Sequence, residues 1–222
     1  MKKIIIIVLA CLPLAALAQT NVWEIPDNAK ENTEKTVKEK KEKVIKKEDA
    51  KYLTGAVPTV DGRVVFTLDK DVPGMSAEDI YQKVYAVIDS VVNEGKSNDL
   101  QPQSRIAAVN KGEHTIVAII NEWLVFSSSF IALDRTQFKY TLIAKATDGH
   151  VNVTMQRISY AYEMDRPTGM KISADDWISD SNALNKKGTK LYKGSGKFRR
   201  KTIDRKDNIF GRIETALNIK AE

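Results

Sequence analysis

The chain carries a single cysteine, Cys11, and two histidines, His114 and His150. The cysteine falls inside an N-terminal segment with the marks of a cleavable signal peptide. Lys2 and Lys3 give it a positive start, and Ile4 to Leu17 are apolar apart from Cys11 and Pro13. Ala16-Leu17-Ala18 then satisfies the small-x-small rule, so cleavage is expected before Gln19. Once residues 1–18 are removed, no cysteine remains. Disulfides, thiolate metal sites and a cysteine nucleophile are thereby excluded from the mature chain. The domain is large enough to bury a core without them. Long apolar runs are scarce too. The run in the signal peptide is about 14 residues, short of the roughly 20 needed to cross a bilayer, and no later run matches it. The mature chain is expected to be soluble or peripheral. Val8-Leu9-Ala10-Cys11 loosely resembles a lipidation box, but Cys11 interrupts the apolar region instead of following it. A lipid anchor at Cys11 is the alternative to an ordinary apolar position.

Motifs for catalysis and cofactors are also missing. His114 and His150 each follow a turn signal, with no HxxxH or HExxH spacing, so a zinc site would need carboxylates such as Glu113 and Asp148. Ser127-Ser128-Ser129 lacks the glycines of a nucleophile elbow. Asp69-Lys70-Asp71 lacks the glycine and later glutamate of a calcium loop. Gly194-Ser195-Gly196-Lys197 is not a phosphate loop, because Leu191 and Phe198 stand where a glycine and a Ser or Thr are required. No catalytic, cofactor-binding or metal-binding residue is assigned, and no cofactor is expected.

What is present divides into blocks. Residues 19–51 form a charged Lys/Glu-rich spacer. Glu31–Lys35, Glu34–Lys38, Glu39–Lys43 and Glu42–Lys46 are spaced i,i+4, each worth about 0.2–0.5 kcal/mol to a helix. Its apolar stripe is too narrow to pack firmly on a core, so it reads as a solvated spacer, helical or disordered.

Residues 52–222 read as one α+β domain. Arg63 to Leu68 is rich in β-branched and aromatic residues and predicts a strand between the turn signals Asp61-Gly62 and Pro73-Gly74. Ser76 with Asp79 resembles a capping box, and Ala77, Ile80, Tyr81, Val84, Ile88 and Val91 recur at helical spacing, so a helix is expected over about 76–93, with Gly95 just past its end. Segments 104–110, 115–120, 124–133, 138–146 and 151–160 are strand-like, with tight turns at Lys111-Gly112 and Asp148-Gly149. Short connections between successive strands mean an antiparallel sheet. Asp175 to Ile178 predicts a short capped helix, and Ile209, Phe210, Ile213, Ala216 and Leu217 a closing one.

Gly62-Arg63-Val64-Val65-Phe66, the helix with Ile80-Tyr81, the strand meander and the late helix together resemble an exported family of unknown function, uncharacterised domain family 4468, over residues 55–160. The resemblance implies a TATA-binding-protein-like fold: a curved antiparallel sheet of five to six strands, with the long helix and the C-terminal helix on one face. It implies no activity and no DNA binding, because fold does not carry function. With the signal type, it places the chain in the periplasm or outer envelope of a Gram-negative bacterium.

Two features point to binding. Residues 186–206 are strongly basic, and Lys193, Lys197, Arg199, Arg200 and Lys201 are candidates for an anionic lipid or glycan; the bland alternative is a solvated loop. Trp123, after Asn121-Glu122, is expected near a bend between strands, where an exposed indole contacts a partner and a buried one serves the core. The leading expectation is a non-enzymatic binding or interaction module of the cell envelope, with an unknown envelope protein or peptide as partner and no nucleic acid. The alternatives are an envelope hydrolase acting on glycan or peptide, and a peripheral binder of anionic lipid or glycan through the basic segment.

Overall fold

The computed structural model describes residues 50–96, 104–128 and 133–219. They fall in one compact unit, Lys47–Glu222. The signal peptide, Cys11, nearly all of the spacer and Ser129 lie outside the described residues.

A small hairpin of β1 (Thr59–Val60) and β2 (Arg63–Val64) precedes the main sheet. The main sheet contains β3 (Phe66–Asp71), β4 (Arg105–Asn110), β5 (Thr115–Ser128), β6 (Leu133–Thr147), β7 (His150–Tyr162) and β8 (Met170–Ser173). The spatial order is β3-β7-β6-β5-β4, with β8 also on β7, and every pairing is antiparallel. Successive strands of the meander pair through short turns. One of these turns holds Gly149 at φ 72°, a left-handed conformation that glycine adopts without penalty.

Helix α1 (Ala77–Lys96) begins where the sequence predicts. Ser76 Oγ accepts the Asp79 N–H at 3.1 Å and donates to Asp79 Oδ2 at 2.7 Å. Asp148, from the β6–β7 turn, accepts the Ala77 N–H at 2.8 Å. Two of the helix's unpaired amides are thus satisfied, one of them by the sheet itself. Ile80, Val84, Ile88 and Val91 are buried, each contributing roughly 1.5–3 kcal/mol of burial. The helix runs on through Gly95 to Lys96, so Gly95 does not end it.

Short helices α2 (Ala174–Trp177) and α3 (Asp180–Ala183) lead to α4 (Lys193–Ala216). Ser173 caps α2 by accepting the Asp176 N–H. Helix α4 covers the same sheet face as α1: Phe198 packs on Phe126 and Tyr160, and Thr202 shares a 2.7 Å hydrogen bond with Tyr160. Between helices and sheet lies the core, with Ile116, Ala118, Ile120, Phe138, Tyr140, Leu142, Val153 and Met155 pointing into it.

Two expectations are corrected. The segments 115–120 and 124–133 are not two strands with a bend at Trp123. β5 is continuous to Ser128, and its register shift falls at Val125/Ser127. The polar residues that imitate a bend are accommodated differently: Glu122 is buried in an ion pair and Asn121 lies against Ser104. Nor is the stretch from 193 to 206 a loop. It forms the first half of α4, where Phe198, Thr202 and Ile203 face the core. Gly196 fits there closely: a Cβ would stand 3.0 Å from Leu191 Cβ and would push that side chain aside.

Candidate functional site on the open sheet face

The strand period of two sends alternate side chains to the face that no helix covers. Registers place these residues in rows. One row runs Lys171 on β8, Ala161 on β7, Gln137 on β6 and Trp123 on β5. The adjacent row runs Ser173, Ser159, Lys139 and Asn121. Farther along, Ile143 lies beside Val117, and Thr141 beside Ile119.

The first two rows enclose a hollow of about 440 Å³ whose polar side chains include Asn121, Gln137, Lys139, Ser159, Lys171 and Ser173. The methyl of Ala161 leaves its floor low. A second hollow of about 430 Å³ adjoins it, sharing Gln137 and Ala161. Trp123, Leu133, Arg135, Met164 and Arg166 line that one. Together they make one shallow groove crossing four strands.

Arg135 lies over the Trp123 indole with its guanidinium carbon 3.8 Å from the ring centroid. Stacking of this kind holds a guanidinium in place while leaving its edge able to donate. The indole Nε1 is enclosed and meets no acceptor among the described residues. Leu133 and Met164 are exposed beside it. Three carboxylates lie here: Asp134 accepts from Lys197 and Tyr162, Glu163 accepts from Arg166, and Asp165 is exposed.

The basic candidates lie elsewhere, on α4 behind the sheet, and the structure does not gather them. Lys193 and Lys201 are exposed and Arg200 is half-buried near Tyr52. Lys197 donates to Asp134 at 2.8 Å and sits 4.6 Å and 4.4 Å from the Phe126 and Tyr162 ring centroids. Burial works to lower its pKa, but hydrogen bonds to Asp134 and Tyr162 outweigh this and hold it above the usual lysine value. Arg199 has no exposed side-chain surface. It donates to the carbonyls of Tyr52, Leu53 and Ile178 and to Asp180, at 2.6–2.7 Å. Burial brings its pKa below the usual arginine value.

The two histidines face carboxylates other than Glu113 and Asp148. His114 contacts Glu78, and His150 lies between Asp69 and Asp71. Among the described residues, no group of three or more His, Cys, Asp or Glu side chains has the geometry of a metal site.

The residues that sequence reasoning missed are Arg135, Gln137, Lys139, Ala161 and Lys171. Alternation along β6, with Thr136, Phe138, Tyr140 and Leu142 inward, would have placed the first three on one face. Ala161 and Lys171 need the register of β7 and β8, which no local pattern carries.

Comparison with known proteins follows the fold. The family model described as "Domain of unknown function (DUF4468) with TBP-like fold" matches residues 66–161. The crystal structure of a DUF4468 family protein from Bacteroides ovatus ATCC 8483 is similar at a TM-score of 0.70 and 38% identity, over 76% of this chain and 94% of that one. A TBP-like protein from Parabacteroides distasonis ATCC 8503 is similar at a TM-score of 0.58 and 21% identity, over 75% and 99% of the two chains. The second likeness is one of fold alone. No curated protein matches the chain.

Proposed function

Because this chain belongs to the DUF4468 family, whose description carries a fold and no activity, we propose from its surface that it is a non-enzymatic binding module of the cell envelope, taking its partner on the open sheet face. The observation that carries this is the continuous groove across β8, β7, β6 and β5, with Ala161 and Gln137 common to both of its halves. Cationic, amide, hydroxyl and apolar groups converge there, as recognition of a specific partner requires. Of the groove's three carboxylates, Asp134 and Glu163 are held by cations and Asp165 alone is in no ion pair among the described residues, which supports binding over hydrolysis by a pair of free carboxylates. Export would rest on residues 1–18.

The test is capture of a partner by the tagged protein from envelope extract, repeated with Ala161→Trp, which fills the groove floor, and with Lys193→Glu/Lys201→Glu on α4. Capture lost with the first and kept with the second supports binding at the sheet. Capture lost only with the second, and sensitive to salt, assigns binding instead to a polyanion on α4. Turnover of an envelope glycan or peptide by the unmodified protein would establish the hydrolase alternative.

A further inference from the structure

We propose that the groove on the open sheet face binds an extended peptide with an acidic residue beside the Lys139–Lys171 pair and an apolar residue on the Trp123–Leu133–Met164 end. This rests on the binding function proposed above and adds the chemistry of the partner.

Charge supplies the first argument. Lys139 and Lys171 are exposed, take part in no ion pair among the described residues, and line a hollow to which no carboxylate contributes. Their strands stand on either side of β7, so two long side chains can close over Ser159 and Ala161 from opposite sides. Two lysines whose strands flank a hydroxyl and a methyl complement a carboxylate set between them. At the other end the chemistry changes: Trp123, Leu133 and Met164 offer apolar surface, flanked by Asp165 and the Glu163–Arg166 pair, which disfavour a second acid there. Arg135, stacked on the indole, closes that end.

Shape supplies the second. The groove is shallow and open along its length, unlike the enclosed pockets that engulf small molecules. From β8 to β5 it crosses three strand spacings, about 14 Å, which is the span of about four residues of extended chain. Gln137 and Ser159 lie along its middle, each with donor and acceptor capacity for a peptide backbone. An acid at one end and an apolar group at the other therefore match a peptide carrying Glu and Leu four positions apart, which the period of two in an extended chain puts on the same side. A uniformly anionic glycan would leave the Trp123 end unmatched.

The experiment is a titration of the isotope-labelled protein with capped hexapeptides carrying that Glu and Leu, followed by amide and indole NMR shifts. Control peptides replace Glu by Gln or Leu by Ser. Shifts are expected at Gln137, Ala161 and the Trp123 indole, about tenfold weaker affinity for the Gln peptide, and comparable losses in Lys139→Ser and Lys171→Ser. Both lysines are exposed, so these variants should keep the parent's urea midpoint, which is checked alongside. Equal binding of the Gln peptide at the same resonances would overturn the acidic-peptide assignment and leave the binding module intact. The same holds if a short anionic glycan, or vesicles of anionic lipid, shift these resonances and peptides do not. If no probe disturbs the open face, both the peptide assignment and the binding site proposed there fall.

Discussion

Arg205 grips Glu122 by two hydrogen bonds, Nε to Oε1 at 2.9 Å and Nη2 to Oε2 at 2.8 Å. The carboxylate also accepts from Tyr140 at 2.9 Å. Arg205 reaches on to Glu94, which Arg212 holds as well. Burial works to raise the Glu94 carboxyl, but the two arginines together keep it below the usual carboxylate range. One network thus joins β5 and β6 to both long helices.

Removing one partner leaves the other buried. Arg205→Met should therefore cost about 3–5 kcal/mol, read as a lower urea midpoint with unchanged slope. The double variant Arg205→Met/Glu122→Leu should recover part of that loss by removing the stranded charge, the remainder reflecting the buried Tyr140 hydroxyl that loses its acceptor.

Arg199→Lys should destabilise nearly as much as Arg199→Met. A single ammonium cannot reproduce the planar fork that reaches three carbonyls and Asp180. Hydrogen exchange should show the loss first at residues 50–56, whose carbonyls at Tyr52 and Leu53 are released.

Arg157 sits at φ 55° inside β7, where the β6–β7 register shifts between Lys139 and Thr141. A non-glycine residue pays about 1–2 kcal/mol for that conformation. Arg157→Gly should raise stability by about 0.5–1 kcal/mol, the glycine's extra chain entropy offsetting part of the relief. Thermal unfolding would show it as a higher Tm.

His150 presents Nδ1 to Asp71 at 2.9 Å and Nε2 to Asp69 at 2.7 Å. Both nitrogens face acceptors, so the doubly protonated ring is favoured. The hydrogen bond to Asp71 raises its pKa above the ordinary 6.5; burial opposes this, and Asp69 adds to the rise. Because the folded value lies above the unfolded one, this stabilisation is complete below about pH 6.5 and is lost as pH rises through the folded value. A histidine NMR titration should place the midpoint above 6.5 and show it falling in Asp71→Asn. His150→Gln should remove this part of the pH dependence of stability.

Local chemistry made much of this fold legible. Ser76 and Asp79 announce the start of α1, and Asp148-Gly149 marks the turn that then caps it. The alternation of Phe138, Tyr140, Leu142 and Ala144 announces a half-covered strand. The start of α4 was hidden, because glycine at positions 194 and 196 is a poor helix former and Tyr192 offers no side-chain cap. Gly196 answers to Leu191, which is a tertiary fact. Of the candidate site, only Trp123 was visible, as an aromatic among polar neighbours. Lys171 joins it through β8, a four-residue strand whose partner lies across the Glu163–Gly169 connection. Arg199 and Lys197 read as surface cations for the converse reason: their carbonyl and carboxylate partners come from distant segments.

The strand order also sets a sequence of assembly. β4 to β7 can zip together through neighbouring turns, each closing a short loop at small entropic cost. β3 must instead return across the length of α1 and the meander to reach β7, and Arg199 must meet carbonyls 146 and 147 positions earlier in the chain. Such distant closures slow folding. The meander is therefore the natural nucleus, and docking of α4 the last step. Until residues 193–216 dock, the part of the sheet around Phe126 and Tyr160 would stand bare even with α1 in place.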